Sequence, residues 1–136
     1  MRDIENRADI DTLLIRFYDK VLLDDVIGYI FAIAELDLEH HLPIIGDFWD
    51  AMLFGTKEYQ QRGRNPMQIH LDLHQKTELT AEHFDRWLTV WSEAVDELFI
   101  GERADMIKMR ARSIGERMLN MINGAPEIEP PVRING

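Results

Sequence analysis

The chain has 136 residues, 46% of them hydrophobic, a formal net charge of −10 at pH 7 and no cysteine. This suits one globular domain with its own core. It argues against nucleic acid and anionic membrane as partners, since both need a basic surface, and excludes disulfide scaffolds, thiolate metal sites and cysteine nucleophiles. The opening MRDIENRADID is acidic and lacks the apolar stretch of a signal peptide. The longest apolar run, VIGYIFAIA at 26–34, is too short to span a bilayer. A soluble cytoplasmic protein is the expectation.

In chain order, Ile10, Leu13, Leu14, Phe17, Tyr18, Val21 and Leu22 recur at helical spacing and predict a first helix. A short second helix is expected over about Asp24 to Phe31. Leu38, His41, Leu42, Ile45, Phe48, Trp49 and Met52 mark a third, with Pro43 in its first turns and Gly55 as its stop. The polar stretch GTKEYQQRGR, 55–64, reads as a loop. Asn65 and Pro66 suit the cap and first position of a short fourth helix. Thr80 can cap a long fifth helix carrying Phe84, Trp87, Leu88, Trp91, Val95 and Leu98. Gly101 separates it from a sixth, with Ile107, Ala111, Ile114, Met118 and Met121 inward and Gly124 at its end. No stretch alternates with the period of a strand, so the fold class is all-α. Residues 1–124 read as one domain and 125–136, rich in proline, as an irregular tail.

Four expected helices each turn a polar-capable side chain inward: Tyr18, His41, His70 and Trp87. Each has an ordinary reading as a core residue whose polar atom finds a local partner. Together they ask for something to satisfy them, because an unpaired buried donor costs roughly 1–3 kcal/mol. One candidate is a metal, held by the i, i+4 pair His70 and His74 with His41 or His83. Another is a flat cofactor with one axial imidazole and apolar walls. Phe17, Phe31, Ile45, Phe48, Met67, Phe84, Trp87, Trp91 and Met118 could line such a slot. A third reading is a protein-interaction module whose inward His and Tyr satisfy each other.

Four motifs in order, RFYDKVLLDDVIGYIF (16–31), EHHLPIIGDFWDAMLFG (39–55), HLDL (70–73) and HFDRWL (83–88), resemble the third group of truncated haemoglobins. The likeness spans about residues 8 to 122, and the missing Gly-Gly pair also resembles that group. It implies a truncated globin, a two-over-two helical sandwich enclosing haem b. Carried over onto the motifs, it implies that His70 is the proximal iron ligand. Tyr18, His41 and Trp87 would be the distal residues. His74 is an alternative proximal ligand, and His41 could donate, gate or itself ligate. The implied ligand is a diatomic (O₂, NO or CO) or peroxide at a five-coordinate iron. The implied chemistry is nitric oxide dioxygenation or a peroxidase-like reaction, served by an unidentified reductase, rather than bulk oxygen transport. Arg62 and Arg64 could meet haem propionates, although an exposed loop is the simpler reading. KMRAR, 108–112, reads as the solvated face of the last helix.

Overall fold

A computed structural model describes residues 1–56, 70, 73–74 and 76–124. Among these residues there are five helices: α1 Arg7–Val21, α2 Gly28–Ile33, α3 Leu38–Phe54, α4 Ala81–Leu98 and α5 Glu102–Ile122. His70, Leu73, His74 and Lys76 also have helical backbone, where the short fourth helix is expected. Asn65, Pro66 and the 125–136 tail lie outside the described residues. The β structure among the described residues is one parallel bridge between Arg2 and Phe99.

Local chemistry sets several helix ends. The Asn6 side chain caps α1 by accepting from the Asp9 amide at 3.0 Å. Gly55 ends α3 in the left-handed region, φ +75°, with its amide donating to the Ala51 carbonyl at 3.0 Å. Thr80 opens α4 with a reciprocal cap. Its hydroxyl accepts from the His83 amide at 3.4 Å, and His83 Nδ1 accepts from the Thr80 amide at 3.1 Å.

The second helix differs from expectation, starting at Gly28 rather than near Asp24. The Asp24 carboxylate holds 24–27 in a turn, accepting from the Val26 and Ile27 amides at 3.0 and 3.1 Å. Arg86 of α4 pins that carboxylate at 2.6 Å. At the far end Glu35 adopts φ +54°, and the Leu36 amide reaches back to the Phe31 carbonyl at 3.3 Å. This left-handed stop turns Leu36 towards the interior cavity that it lines.

The four long helices form a closed circuit. α4 packs on α1 and α5, and α3 packs on the same two. The inward stripes foreseen for α1, α4 and α5 supply most of the core. Trp91 lies at its centre, stacked between Trp49 at 5.3 Å and Trp87 at 6.0 Å between ring centroids. Its buried Nε1–H donates to the Ile107 carbonyl at 3.2 Å, so the one polar atom of this ring is paired. Arg7 ties α1 to α3 through Asp47 at 2.7 Å.

The start of α5 is capped from far away in the sequence. Its N-cap, Gly101, has no side chain to offer. The Asp3 carboxylate accepts from the Arg103 and Ala104 amides instead, both at 2.9 Å. Gly101 sits at φ +143°, and a Cβ there would come within 2.5 Å of Asp3 Cγ. Burial pushes the Asp3 carboxyl pKa up, but these amide donors outweigh it and hold the pKa below the usual value. The Arg2 hydrogen bond does the same for Asp9 against an opposing burial effect. Both carboxyls are therefore easier to ionise folded than unfolded. Their stabilisation is complete above the ordinary aspartate pKa of about 3.9 and is lost as pH falls through the folded values. Asp3→Ala should lower stability at pH 7 by about 0.5–2 kcal/mol, the usual worth of an N-cap. It should also flatten the acid limb of stability against pH, measured by urea titration between about pH 5 and pH 2. An unchanged acid limb would remove Asp3 from the cap.

Candidate functional site

A cavity of about 200 Å³ lies inside the helical circuit. Its walls are mainly apolar. α1 contributes Leu14 and Phe17, α2 Ile30 and Phe31, α3 Ile45 and Phe48, α4 Phe84 and Trp91, and α5 Ile114 and Met118. Tyr18, His41, His70, His83 and Trp87 bring polar atoms to the same space. Phe31, Ile45, Phe48, Phe84, Trp87 and His70 all line this cavity, as the sequence leads one to expect. Met67, Arg62 and Arg64 lie outside the described residues.

Tyr18 and His41 are joined. His41 Nε2 lies 2.9 Å from Tyr18 Oη. The Tyr18 ring is fixed edge-on against Phe17 and Phe31, with centroids 5.0 and 6.0 Å away. Burial raises the Tyr18 hydroxyl pKa far above its ordinary value, so the group keeps its proton. Burial, then the nearby imidazoles of His70 and His40, lower the pKa of His41. His41 is therefore a neutral imidazole at pH 7, with one N–H and one acceptor nitrogen. The tautomer decides what the pair can do. If Nε2 accepts, the tyrosine proton is occupied. If Nε2 carries the hydrogen, it donates to Tyr18 Oη and frees the O–H for a third group.

Trp87 is held in place by a stack on Trp91 and an edge contact with Phe17, 6.1 Å between centroids. Its Nε1–H has no acceptor among the described residues. His70 and His74 part company. His70 lines the cavity, whereas His74 Nδ1 accepts from the Leu79 amide at 3.0 Å and ties down the chain ahead of α4. The metal reading needs His70, His74 and a third imidazole together. Among the described residues, no three His, Cys, Asp or Glu side chains are placed to hold a metal ion.

The sequence offers His83 only as a further metal ligand. Its Nδ1 accepts from the Thr80 amide, so in the neutral ring Nε2 bears the hydrogen. That atom lies 3.1 Å from Tyr29 Oη and donates to it, linking α4 to α2 at the cavity wall. The signal available was its place three residues after Thr80, where a capping box puts its second member.

These residues fit a flat apolar cofactor. Aromatic and aliphatic walls, an imidazole and an indole N–H without a described acceptor meet in one cavity, as a haem site requires. An all-helical two-over-two circuit closed around such a cavity has the architecture of a truncated globin. The bacterial-like globin family matches residues 3–120, and the chain belongs to that family. It is 34% identical over 121 residues to the Group 3 truncated hemoglobin ctb of Campylobacter jejuni, covering 86% of this chain and 91% of that protein. The crystal structure of the group III truncated hemoglobin from Campylobacter jejuni superposes with a TM-score of 0.76 at 31% identity. That superposition covers 90% of this chain and 95% of the other. Membership makes this a haem-binding globin with a diatomic gas as ligand, and does not favour the non-haem readings.

Proposed function

We propose that this protein binds haem b through His70 and uses Tyr18, His41 and Trp87 to hold O₂ for chemistry on NO or peroxide. As part of the same proposal, the globin domain comprises residues 1–124. The observation that carries the reading is the Tyr18–His41 hydrogen bond, buried in the apolar cavity that His70 also lines. Haem, when bound, supplies an iron that accepts one imidazole and leaves a position for a diatomic ligand.

The other steps belong to the chain. His70 anchors the cofactor through one ring nitrogen, and the other donates to a hydrogen-bond acceptor and fixes the tautomer. His41, in its Nε2–H form, donates to Tyr18 Oη and so aims the tyrosine proton at the ligand. Trp87 Nε1–H supplies a second donor. The surrounding phenyl rings exclude water, which strengthens both hydrogen bonds. Two donors slow ligand release, so the arrangement favours retention and reaction over delivery. Chemistry on NO or peroxide would need electrons from outside this chain, so a reductase is part of the proposal. Among the described residues no helix is long and apolar enough to cross a membrane. We place the protein in the cytoplasm as part of the same reading.

The purified protein with added hemin should show an intense Soret band that shifts under CO after reduction. No such band would sink the reading. Trp87→Phe tests the second donor, because it keeps an aromatic ring and deletes the N–H. The Fe–CO stretch should move towards that of a less polar pocket, while thermal stability falls only by what the smaller ring costs. A stretch identical to wild type in a fully loaded variant would return Trp87 to a packing role.

A further inference from the structure

Some cations of this acidic chain are matched with carboxylates and others are not. On α1 and α4 they are matched with carboxylates: Arg7 with Asp47, Arg16 and Lys20 with Glu97, and Arg86 with Asp24. On α5, Lys108 pairs with Asp96 at 2.7 Å, while the four arginines Arg103, Arg110, Arg112 and Arg117 form no ion pair among the described residues. Three of these recur every seventh position. A helix drifts only about 20° per heptad, so Arg103, Arg110 and Arg117 follow one edge of α5. Arg112 falls on the opposite edge.

Contacts locate the stripe beside α3, and its neighbours there are neutral. One Arg110 Nη donates to Met52 Sδ at 3.3 Å. The Arg103 guanidinium lies 5.0 Å from the centroid of the Phe54 ring and donates to the Ile4 carbonyl at 3.0 Å. These contacts orient the guanidinium groups and leave the Arg110 charge uncancelled, whereas the Asp3 carboxylate at the start of α5 partly offsets that of Arg103. Arg110 and Arg117 are exposed. The buried flank of the same helix carries Ile114, Gly115 and Met118 to the cavity wall. A helix with its side chains is about 10–12 Å across, so the stripe stands about one helix width from the cofactor space.

We propose that the α5 arginine stripe is the docking surface for an acidic electron-carrier protein that returns the iron of this globin to its ferrous state. The inference rests on the haem reading above. One electron leaves the carrier's reduced flavin and turns ferric iron ferrous, and no bond on this chain forms or breaks. With a net charge of −10, most of the surface repels an acidic carrier. The stripe offers local complementarity. At an ionic strength of about 0.1 M, charges farther than about 10 Å are screened, so the local pattern decides the approach.

The probe is flavodoxin, an acidic flavin carrier, mixed with the haem-loaded globin. Binding is followed by chemical-shift titration of ¹⁵N-labelled oxidised flavodoxin. Wild type should bind at about 0.1 M salt and release at about 0.5 M. The double variant Arg110→Glu/Arg117→Glu should bind about tenfold or more weakly, the scale on which steering changes association. Arg112→Glu, on the other edge, should stay near wild type. Stopped-flow reduction of the ferric Soret band by reduced flavodoxin should follow the same ranking, while dithionite, a small reductant, reduces all three proteins alike. The proposal is overturned if wild type does not bind, if the double variant binds like wild type, or if Arg112→Glu is equally damaging. A missing Soret band in wild type defeats the haem reading instead, and the titration still reports on the stripe.

Discussion

His70→Ala should purify without stable haem, while His74→Ala keeps it. The two imidazoles lie one helical turn apart in sequence, yet only His70 lines the cavity; His74 accepts a backbone hydrogen bond from Leu79. Losing an outer partner of a metal-ligating histidine costs about 10–100-fold in affinity, and losing the ligand itself should exceed that range. The loss also removes the stability that a tightly held cofactor adds to the folded state. Hemin titration followed at the Soret band, with thermal melts of the loaded proteins, reads both effects. If His74→Ala bleaches the protein and His70→Ala does not, the ligand is His74.

Tyr18→Phe should leave haem content intact and speed O₂ release by about 10- to 150-fold. That range follows from losing one strong hydrogen bond worth roughly 1.5–3 kcal/mol, with the whole effect in the off-rate. The hydroxyl is the atom His41 holds at 2.9 Å, so the variant also cuts the link between them. A His41→Leu variant keeps the tyrosine but removes the group that aims it, and should show a smaller increase in the same stopped-flow experiment. Equal rates for wild type and Tyr18→Phe would take the tyrosine out of the ligand's reach.

Much of this arrangement was legible because the long helices are amphipathic. Tyr18, His41 and Trp87 stood out as polar-capable groups on apolar stripes, and the structure brings all three to one cavity. Phe31, Ile45, Phe48 and Phe84 follow from reading the apolar residues as the walls of a slot for a flat cofactor. What could not be read depends on partners remote in sequence. The late start of α2 reflects an Asp24 turn held by Arg86, 62 positions away. Leu36 reaches the cavity through a left-handed Glu35, which no propensity for glutamate would suggest. Cap chemistry gave His83 its place, yet the bond to Tyr29 needed two helices in register. From the sequence KMRAR is a solvated face, and only the pairing of Lys108 and of the cations on α1 and α4 sets its arginines apart.

The Asp3 cap has a consequence for the order of assembly during synthesis. The carboxylate precedes its amide partners by 100 and 101 positions. At about 5–20 residues per second, a ribosome makes Asp3 roughly 5–20 s before those partners exist. Until then α1, α3 and α4 can associate, but one side of the circuit stays open. Nascent Trp91 lacks the Ile107 carbonyl that its indole requires, and the cavity lacks Ile114 and Met118. The clasp between Asp3 and α5 therefore closes late, after α1, α3 and α4 have been synthesised. A cofactor arriving earlier would meet a three-sided cradle, so durable capture of haem is timed to follow the emergence of α5.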